Sequence, residues 1–368
     1  MPQPALFEPL CLRTLELANR IVVAPMCQYS AVEGCVNDWH LIHLGQLSLS
    51  GAALLTIEAT AVVPEGRNSY ADVGLWNDRN EAAMGLTVES IRRWSDMPIA
   101  IQLNHAGRKA SVEVPWKGGK PFSPFDALGW QTFAPSAISY SDRKIVPQAM
   151  DSRDLRRVRI AFAAAATRAA KIGMDAIEIH AAHGYLLHQF LSPLSNRRSD
   201  EYGGSLEGRM RFPLEVFDAI RNACPGDRVI SVRIPGTDWV SGGWDVEQTI
   251  GFAKALEDRG CDAIQVSSGG LHRDQAVPFG PSYQVPLARA VKNAVKIPVV
   301  AMGLIKGYEQ AEAIVATGDA DMVALAQTLL NDPRWPRHAA AALGAVVRPS
   351  SQYPGLERRQ LDDPFESV

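Results

Sequence analysis

Short apolar runs alternate with amphipathic stretches along nearly the whole chain. RIVVAPM (Arg20–Met26), ALLTIEAT, PIAIQLN, MDAIEIH, RVISVRI, CDAIQVS, IPVVAM and ADMVALA are short, rich in aliphatic and β-branched residues, and bounded by polar or turn-forming positions. These are signs of buried strands. Between them, HLIHLGQLSLSG, EAAMGLTVESIRRWSD, SRDLRRVRIAFAAAATRAAKIG, FPLEVFDAIRNAC, VEQTIGFAKALEDRG, PLARAVKNAV and GYEQAEAIVATG carry apolar residues at helical spacing. Eight strands, each of the later seven preceded by a helix, specify a parallel sheet with short connections. In a chain of 368 residues this number favours one closed (β/α)8 TIM barrel over an open doubly wound sheet. The open sheet needs a GxGxxG turn after its first strand, and none is present.

Two segments stand outside this alternation. LFEPLCLRTLELANR, ahead of the first strand, predicts an N-terminal β-hairpin that closes the barrel bottom and carries no chemistry. The stretch 105–148, after the third strand, is rich in Pro, Gly and aromatics and lacks periodicity. Long aperiodic loops are commonly functional lids or disordered segments. Trp116, Phe122, Phe125, Trp130 and Phe133 favour a packed lid, because disordered segments are poor in aromatics. Residues 1–368 are therefore expected to form a single barrel domain, with a lid at 105–148 and a C-terminal tail at about 344–368.

Composition narrows the function without choosing it. A net charge of −3 leaves no basic footprint for nucleic acid and no polybasic membrane patch. No apolar run approaches membrane-helix length, and MPQPALFEPL lacks the shape of a signal peptide. Five scattered cysteines, Cys11, Cys27, Cys35, Cys224 and Cys261, make neither a disulfide framework nor a CxxC metal site. A cytoplasmic protein is the expectation.

The chemistry should gather where the strand ends converge on one face of the barrel. The first strand ends in Pro25, Met26, Cys27 and Tyr29, the second in Glu58, Ala59 and Thr60. The third offers Gln102, Asn104, His105, Arg108 and Lys109, and the fourth His180, His183 and Tyr185. Arg233 ends the fifth, Ser267 to Gly270 the sixth, Met302 and Gly303 the seventh, Ala326 and Gln327 the eighth. Isolated histidines are most often packing or surface residues, but two with a tyrosine at one strand exit point to function. The Gly-rich turns Ser267–Gly270, with Ser268, Gly269 and Gly270 as candidate cofactor contacts, and Met302–Gly307 suit a phosphate-binding backbone at this end of a barrel, although plain tight turns are commoner. No HExxH or Ser–His–Asp pattern suited to hydrolysis is present; donors dominate, as suits a ring or anion that gains charge during reaction.

HAAHGYLLHQFLSPLSNRRSDEYGGS, with PMCQYS, EATAV and QLNHAGRKA, resembles the old yellow enzyme family of FMN-dependent ene-reductases, in the branch with a cysteine after the first strand. The resemblance covers most of the chain. It implies that Pro25, Met26, Cys27, Ala59, Gln102 and Arg233 line the isoalloxazine, with Cys27 tuning its potential and Arg233 favouring the anionic reduced ring. The bland alternatives are a buried inert thiol and a structural ion pair. It implies NADPH or NADH as reductant and an activated alkene as second substrate. His180 and His183 would bind the alkene's carbonyl or nitro oxygen, and Tyr185 would protonate the α-carbon, work suited to a phenol. Tyr29 and Lys109 would contact substrate, although an aromatic packing role for Tyr185 and exposure for Lys109 are the ordinary alternatives.

Two departures stand out. Members of the family end the eighth strand in Gly-Arg, whereas Ala326 and Gln327 stand here. Glutamine keeps donor capacity but loses charge and fork geometry. In related enzymes a tail arginine soon after a Gln-Tyr pair reaches the neighbouring subunit's site; here Gln352 and Tyr353 are followed late by Arg358 and Arg359. A homodimer or higher homo-oligomer is expected. The alternative functions are another FMN barrel oxidoreductase, such as a dihydroorotate-oxidase-like enzyme, and a non-catalytic barrel with weakened flavin binding.

Overall fold

The computed structural model describes residues 3–141, 145–224 and 226–353; Arg358 and Arg359 lie outside them. The opening strands β1 (Leu10–Leu12) and β2 (Leu15–Leu17) form the expected antiparallel hairpin. The lid contributes β6 (Phe133–Ala134) and β7 (Gln148–Ala149), paired with each other. The barrel is built from β3 (Ile21–Val23), β4 (Leu54–Ala61), β5 (Ile99–Asn104), β8 (Ala176–His180), β9 (Val229–Pro235), β10 (Ala263–Ser267), β11 (Val299–Ala301) and β12 (Met322–Leu325). All eight are parallel and close on themselves, β12 pairing with β3. The first strand is shorter than the Arg20–Met26 expected, because Pro25 has no N–H to extend the ladder.

The helices that alternate with these strands are α1 (Asp38–Ser48), α2 (Asp78–Arg92), α3 (Ser152–Ile172), α4 (Leu186–Leu191), α5 (Leu206–Ala223), α6 (Val246–Glu257), α7 (Val285–Lys292), α8 (Tyr308–Ala316), α9 (Gln327–Asn331) and α10 (Trp335–Leu343). Their starts follow local chemistry. Asp151 accepts the N–H groups of Arg153 and Asp154 to open α3, Asn77 accepts from Asn80 to open α2, and Asp245 accepts from Gln248 to open α6.

A recurrent Asp fastens successive strands at the barrel bottom. Asp175, Asp262 and Asp321 each precede a strand by one residue, and their carboxylates take the N–H groups of Ile99, Ile230 and Val299 on the preceding strand. Each also holds a cation: Arg92 at 2.7 Å, Arg221 at 2.5 Å and Lys292 at 2.8 Å. Asp262 additionally holds Arg13 of the hairpin at 2.9 Å.

The barrel interior changes character with height. A lower apolar cluster is made by Leu12 and Leu17 of the hairpin with Val22, Leu54, Ala100, Ala176, Val229, Ala263, Val300 and Met322. Side chains alternate along a strand, so the residues two positions on face the same interior. They are largely polar: Thr56, Gln102, Glu178, Ser231 and Gln265, all buried. The hairpin thus seals the floor beneath a polar middle layer. The lid departs from the uniformly packed segment expected. Trp130 is anchored by its indole N–H to the Glu65 carbonyl and by the Arg67 guanidinium 4.9 Å from its ring, but Trp116 and Phe125 are 65 and 98 % exposed.

Asp262→Ala removes the carboxylate partner of two guanidiniums, which keep only backbone carbonyl acceptors, and leaves the Ile230 N–H unsatisfied. Losses of this kind cost about 2–4 kcal/mol, to be measured as a drop in urea midpoint at unchanged slope.

Candidate active site

His180 is the last residue of β8, in register with Arg233 of β9. The chain then turns through His183 and Gly184, both left-handed at φ 57° and 71°. Glycine is required at the second position, since a Cβ there would meet the Gly270 carbonyl oxygen at 2.2 Å. The non-glycine residue at positive φ is held from several sides. The Lys109 ammonium donates to the carbonyls of His183 (2.9 Å) and Gly270 (3.1 Å), and the Gly184 N–H donates to His188 Nδ1 (2.9 Å). His188 Nε2 in turn lies 2.8 Å from Asp238 Oδ1, both side chains wholly enclosed.

This turn brings the three expected residues together. The His180 ring lies edge-on to His183 (centroids 5.0 Å apart) and to Tyr185 (4.9 Å). His180 Nδ1 accepts the Ala182 N–H, so in the neutral ring Nε2 carries the proton. His183 Nε2 lies 2.7 Å from Ser267 Oγ. Burial and then the Arg233 charge hold both imidazoles well below their ordinary range, so they are neutral at pH 7. Burial, with Cys27 and Tyr29 nearby, pushes the Tyr185 phenol well above 10 and keeps its proton on.

The flanking residues also converge. Pro25, Met26, Cys27 and Tyr29 follow β3, and Glu58 of β4 holds that loop by accepting the Gln28 N–H at 2.9 Å. Tyr29 is left-handed (φ 50°) and meets Trp116 of the lid edge-on at 6.2 Å. Burial and then Glu58 raise the Cys27 thiol well above its usual value, so it is not thiolate at neutral pH. Ala59 is buried on β4. Gln102 Nε2 donates to Glu178 Oε1 at 2.5 Å, and Arg233 Nη2 reaches Met302 Sδ at 2.8 Å. Lys109, expected at substrate, instead has its Nζ on the two loop carbonyls and 5.1 Å from the Tyr185 ring; burial and Arg108 lower it to about 8.

A cavity of about 300 Å³ opens beside these groups, bordered by Arg233, Gln284, Gly303, Ala326, Gln327 and Thr328, among others. Among the described residues no protein acceptor takes the backbone N–H of Gly303, Gln327 or Thr328. The other half of the expected phosphate cradle is already occupied. Gly269 N–H donates to the Thr237 carbonyl, Gly270 N–H to Gln275 Oε1, and Ser268 Oγ accepts the Trp239 indole N–H. Gly269 and Gly270 therefore shape the loop under Lys109 with their N–H groups taken, whereas Ser268, whose Oγ accepts from Trp239, keeps its hydroxyl proton to donate. The cavity, the buried unpartnered Arg233 Nε and the spare N–H groups fit an anionic, ring-bearing group such as FMN.

The sequence profile of the NADH:flavin oxidoreductase / NADH oxidase family matches residues 5–344. The chain belongs to that family. It is an oxidoreductase of the old yellow enzyme type, and FMN with NAD(P)H is its cofactor system. An NADPH dehydrogenase of Geobacillus sp. (strain WCH70) is 41% identical over 351 residues, which cover 95% of this chain and 97% of that one. The structure of morphinone reductase in complex with tetrahydroNAD superposes with a TM-score of 0.77 at 27% identity, covering 94% of this chain and 93% of that one. A complex of 2-naphthoyl-CoA reductase gives a TM-score of 0.82 at 23% identity over 93% of this chain; this chain spans 52% of that one, and the likeness shows the fold alone. Among the described residues no cluster of His, Cys, Asp and Glu suits a metal, and no helix is long and apolar enough to cross a membrane.

Sequence reasoning passed over Glu178, Gln284, His188 and Asp238. Glu178 carried a usable signal: a lone carboxylate at an interior position of an otherwise apolar strand. Glu58 is the same kind of residue, and burial pushes it to about 8 against 4.5 when unfolded. A raised carboxyl pKa contributes stability below pH 4.5 that is lost as pH rises toward 8. His40, 3.6 Å from Glu58 Oε1, is itself lowered to about 4 by burial and brings no charge in this window. Unfolding free energy followed against pH should fall by several kcal/mol between pH 4.5 and 8 relative to Glu58→Gln (about 1.4 kcal/mol per pH unit); parallel curves would contradict this.

Proposed function

We propose that the enzyme is an ene-reductase: it consumes NAD(P)H and reduces the C=C bond of α,β-unsaturated carbonyl or nitro compounds. The observation that carries this reading is the grouping of two neutral histidines and a protonated tyrosine beside the Arg233 cavity. FMN bound there would supply the hydride chemistry that links NAD(P)H to the β-carbon of the alkene in a ping-pong cycle.

The chain's own residues divide the remaining work. Pro25, Met26, Ala59 and Gln102 border the place for the ring, and Cys27, as a neutral thiol, brings polarity to it without charge. Arg233 offers positive charge where the reduced ring accumulates negative charge, a case of fixed donors matched to developing charge. Gly303, Gln327 and Thr328 offer N–H groups to the phosphate; Ala326 leaves room beside them. His180 Nε2–H donates to the carbonyl or nitro oxygen, and His183 approaches the same oxygen through Nδ1, its Nε2 being held by Ser267. Both draw electron density from the double bond. Tyr185 gives the phenolic proton at Oη to the α-carbon. Tyr29 and Trp116 narrow the entrance.

The visible spectrum of the purified protein tests this reading. Flavin bands, bleached anaerobically by NADPH and restored by cyclohexenone, are expected; a protein that stays colourless in excess FMN overturns it. Tyr185→Phe keeps the edge-on contact with His180 and removes only the proton. Stopped-flow should show flavin reduction by NADPH little changed and alkene reduction slowed about 100-fold or more; equal loss in both half-reactions would remove Tyr185 from the proton step. Gln327→Arg restores a charged phosphate ligand, worth about 1.5–3 kcal/mol, and should lower the FMN dissociation constant about tenfold or more in a fluorescence titration.

A further inference from the structure

The His183 ring is held by a group outside the expected catalytic set. Ser267 Oγ lies 2.7 Å from His183 Nε2 and 3.2 Å from Gln284 Oε1. Ser267 and Gln284 are 3 and 4% exposed, so neither exchanges its partners for bulk water. A serine hydroxyl has one proton to give. With Gln284 presenting its carbonyl oxygen, as in this structure, Ser267 donates to Gln284 and must take its second hydrogen bond from His183. That places the proton of the neutral imidazole on Nε2 and leaves a lone pair at Nδ1. With the amide turned by half a revolution, Gln284 presents its NH2, Ser267 donates to Nε2, and Nδ1 carries the proton.

We propose that Gln284 is a positioning residue which, through the Ser267 hydroxyl, decides whether His183 offers a proton or a lone pair at Nδ1. The inference deepens the proposed ene-reductase function and rests on it for its consequence. An alkene bearing a carbonyl or nitro oxygen gains a second hydrogen bond only in the Nδ1–H state; in the other state two lone pairs face each other. His180 has no such freedom, because the Ala182 N–H fixes its proton on Nε2.

Gln284 is also placed to sense the cavity. It is the residue before α7, and its side chain borders the same space as Arg233, Gly303 and Gln327. Gly303 (φ 108°) leaves no room for a side chain on the other side: a Cβ there would lie 2.8 Å from Gln284 Nε2. A ligand hydroxyl that donates within the cavity would draw the Gln284 oxygen away from Ser267, turn the Gln284 NH2 toward Ser267, and so bring His183 to Nδ1–H. The structure thereby links cofactor occupancy to the hydrogen-bonding sign of the alkene site through three side chains.

Long-range 1H–15N correlation spectra of 15N-histidine-labelled protein read the tautomer directly, with His183 assigned from a His183→Gln sample. Wild type stripped of flavin is expected as Nε2–H. Gln284→Met removes the competing acceptor and should move His183 to Nδ1–H, with and without FMN. On a Ser267→Ala background the same substitution should change nothing at His183. An unchanged tautomer in Gln284→Met overturns the proposal. Gln284→Glu supplies a second test should the Met variant not fold: at pH 8 its carboxylate retains the Ser267 proton, so in FMN-saturated protein His183 should read as Nε2–H and the KM for cyclohexenone should rise about tenfold (one lost hydrogen bond). Equal KM values would count against the relay. If the tautomer responds as expected but no alkene is reduced, the relay stands and the ene-reductase reading falls.

Discussion

A guanidinium inside a closed barrel is the constraint on which the site depends. Arg233 is buried, its Nη2 rests on a methionine sulfur and its Nε has no partner among the described residues. Leaving a buried charge uncompensated costs several kcal/mol, so the barrel must answer it nearby. Glu178 is the answer available. Burial raises it to about 7, and Arg233 and the Gln102 hydrogen bond pull it down. The pair is thus balanced near neutrality: part of the positive charge is offset from below, and the rest faces the cavity. That residual field is also what keeps His180 and His183 neutral, after burial itself. Burial first, and this charge second, keep the two histidines neutral, and the same charge suits an anionic partner.

Neutral histidines are only useful when each ring nitrogen has a defined role, and this requires a rigid turn. A left-handed, non-glycine residue costs of order 1 kcal/mol or more. The His183–Gly184 turn is held by Lys109 on two carbonyls and by the His188–Asp238 pair on the Gly184 N–H. Asp238 also accepts Ser192 Oγ at 2.6 Å and the Trp244 N–H at 2.7 Å. The loops after β8, β9 and β10 are therefore one hydrogen-bonded unit. Lys109 and Gly270, read from sequence as ligand contacts, also take part in this scaffold: the Lys109 ammonium bridges two loop carbonyls, and the Gly270 N–H is taken by Gln275.

The barrel was legible because its period is physical. Eight short apolar runs, each later one preceded by an amphipathic segment, leave few other architectures, and the hairpin plug was visible as an interruption of that rhythm. The site was legible only where function sits in contiguous residues: His180, His183 and Tyr185 share one turn, and HAAHGY names them together. Gln284 lies in FGPSYQVPLAR, a stretch with no motif, and meets Ser267 only through barrel closure. His188 and Asp238 are separated in the same way. The lid aromatics were over-read for another reason. Hydrophobicity says that burial is favourable, not that a partner exists, and Trp116 and Phe125 find little in a single chain.

The occupied N–H groups of Gly269 and Gly270 change where phosphate affinity must come from. A glycine turn binds an anion only if its amides point outward with no internal acceptor, and both of these have one. What is left is the Ser268 hydroxyl and the segment from Gly303 together with Gln327 and Thr328, neutral donors without a guanidinium. Neutral hydrogen bonds are weaker than charge-assisted ones, so on the proposed reading cofactor retention leans on the ring end of the cavity, where Arg233 would supply the charge. On that reading the residue whose charge helps to keep His180 and His183 neutral would also carry much of the cofactor's hold. Substitutions near Arg233 should then disturb cofactor affinity and alkene binding together, whereas in a barrel with an arginine at position 327 the two would be separable.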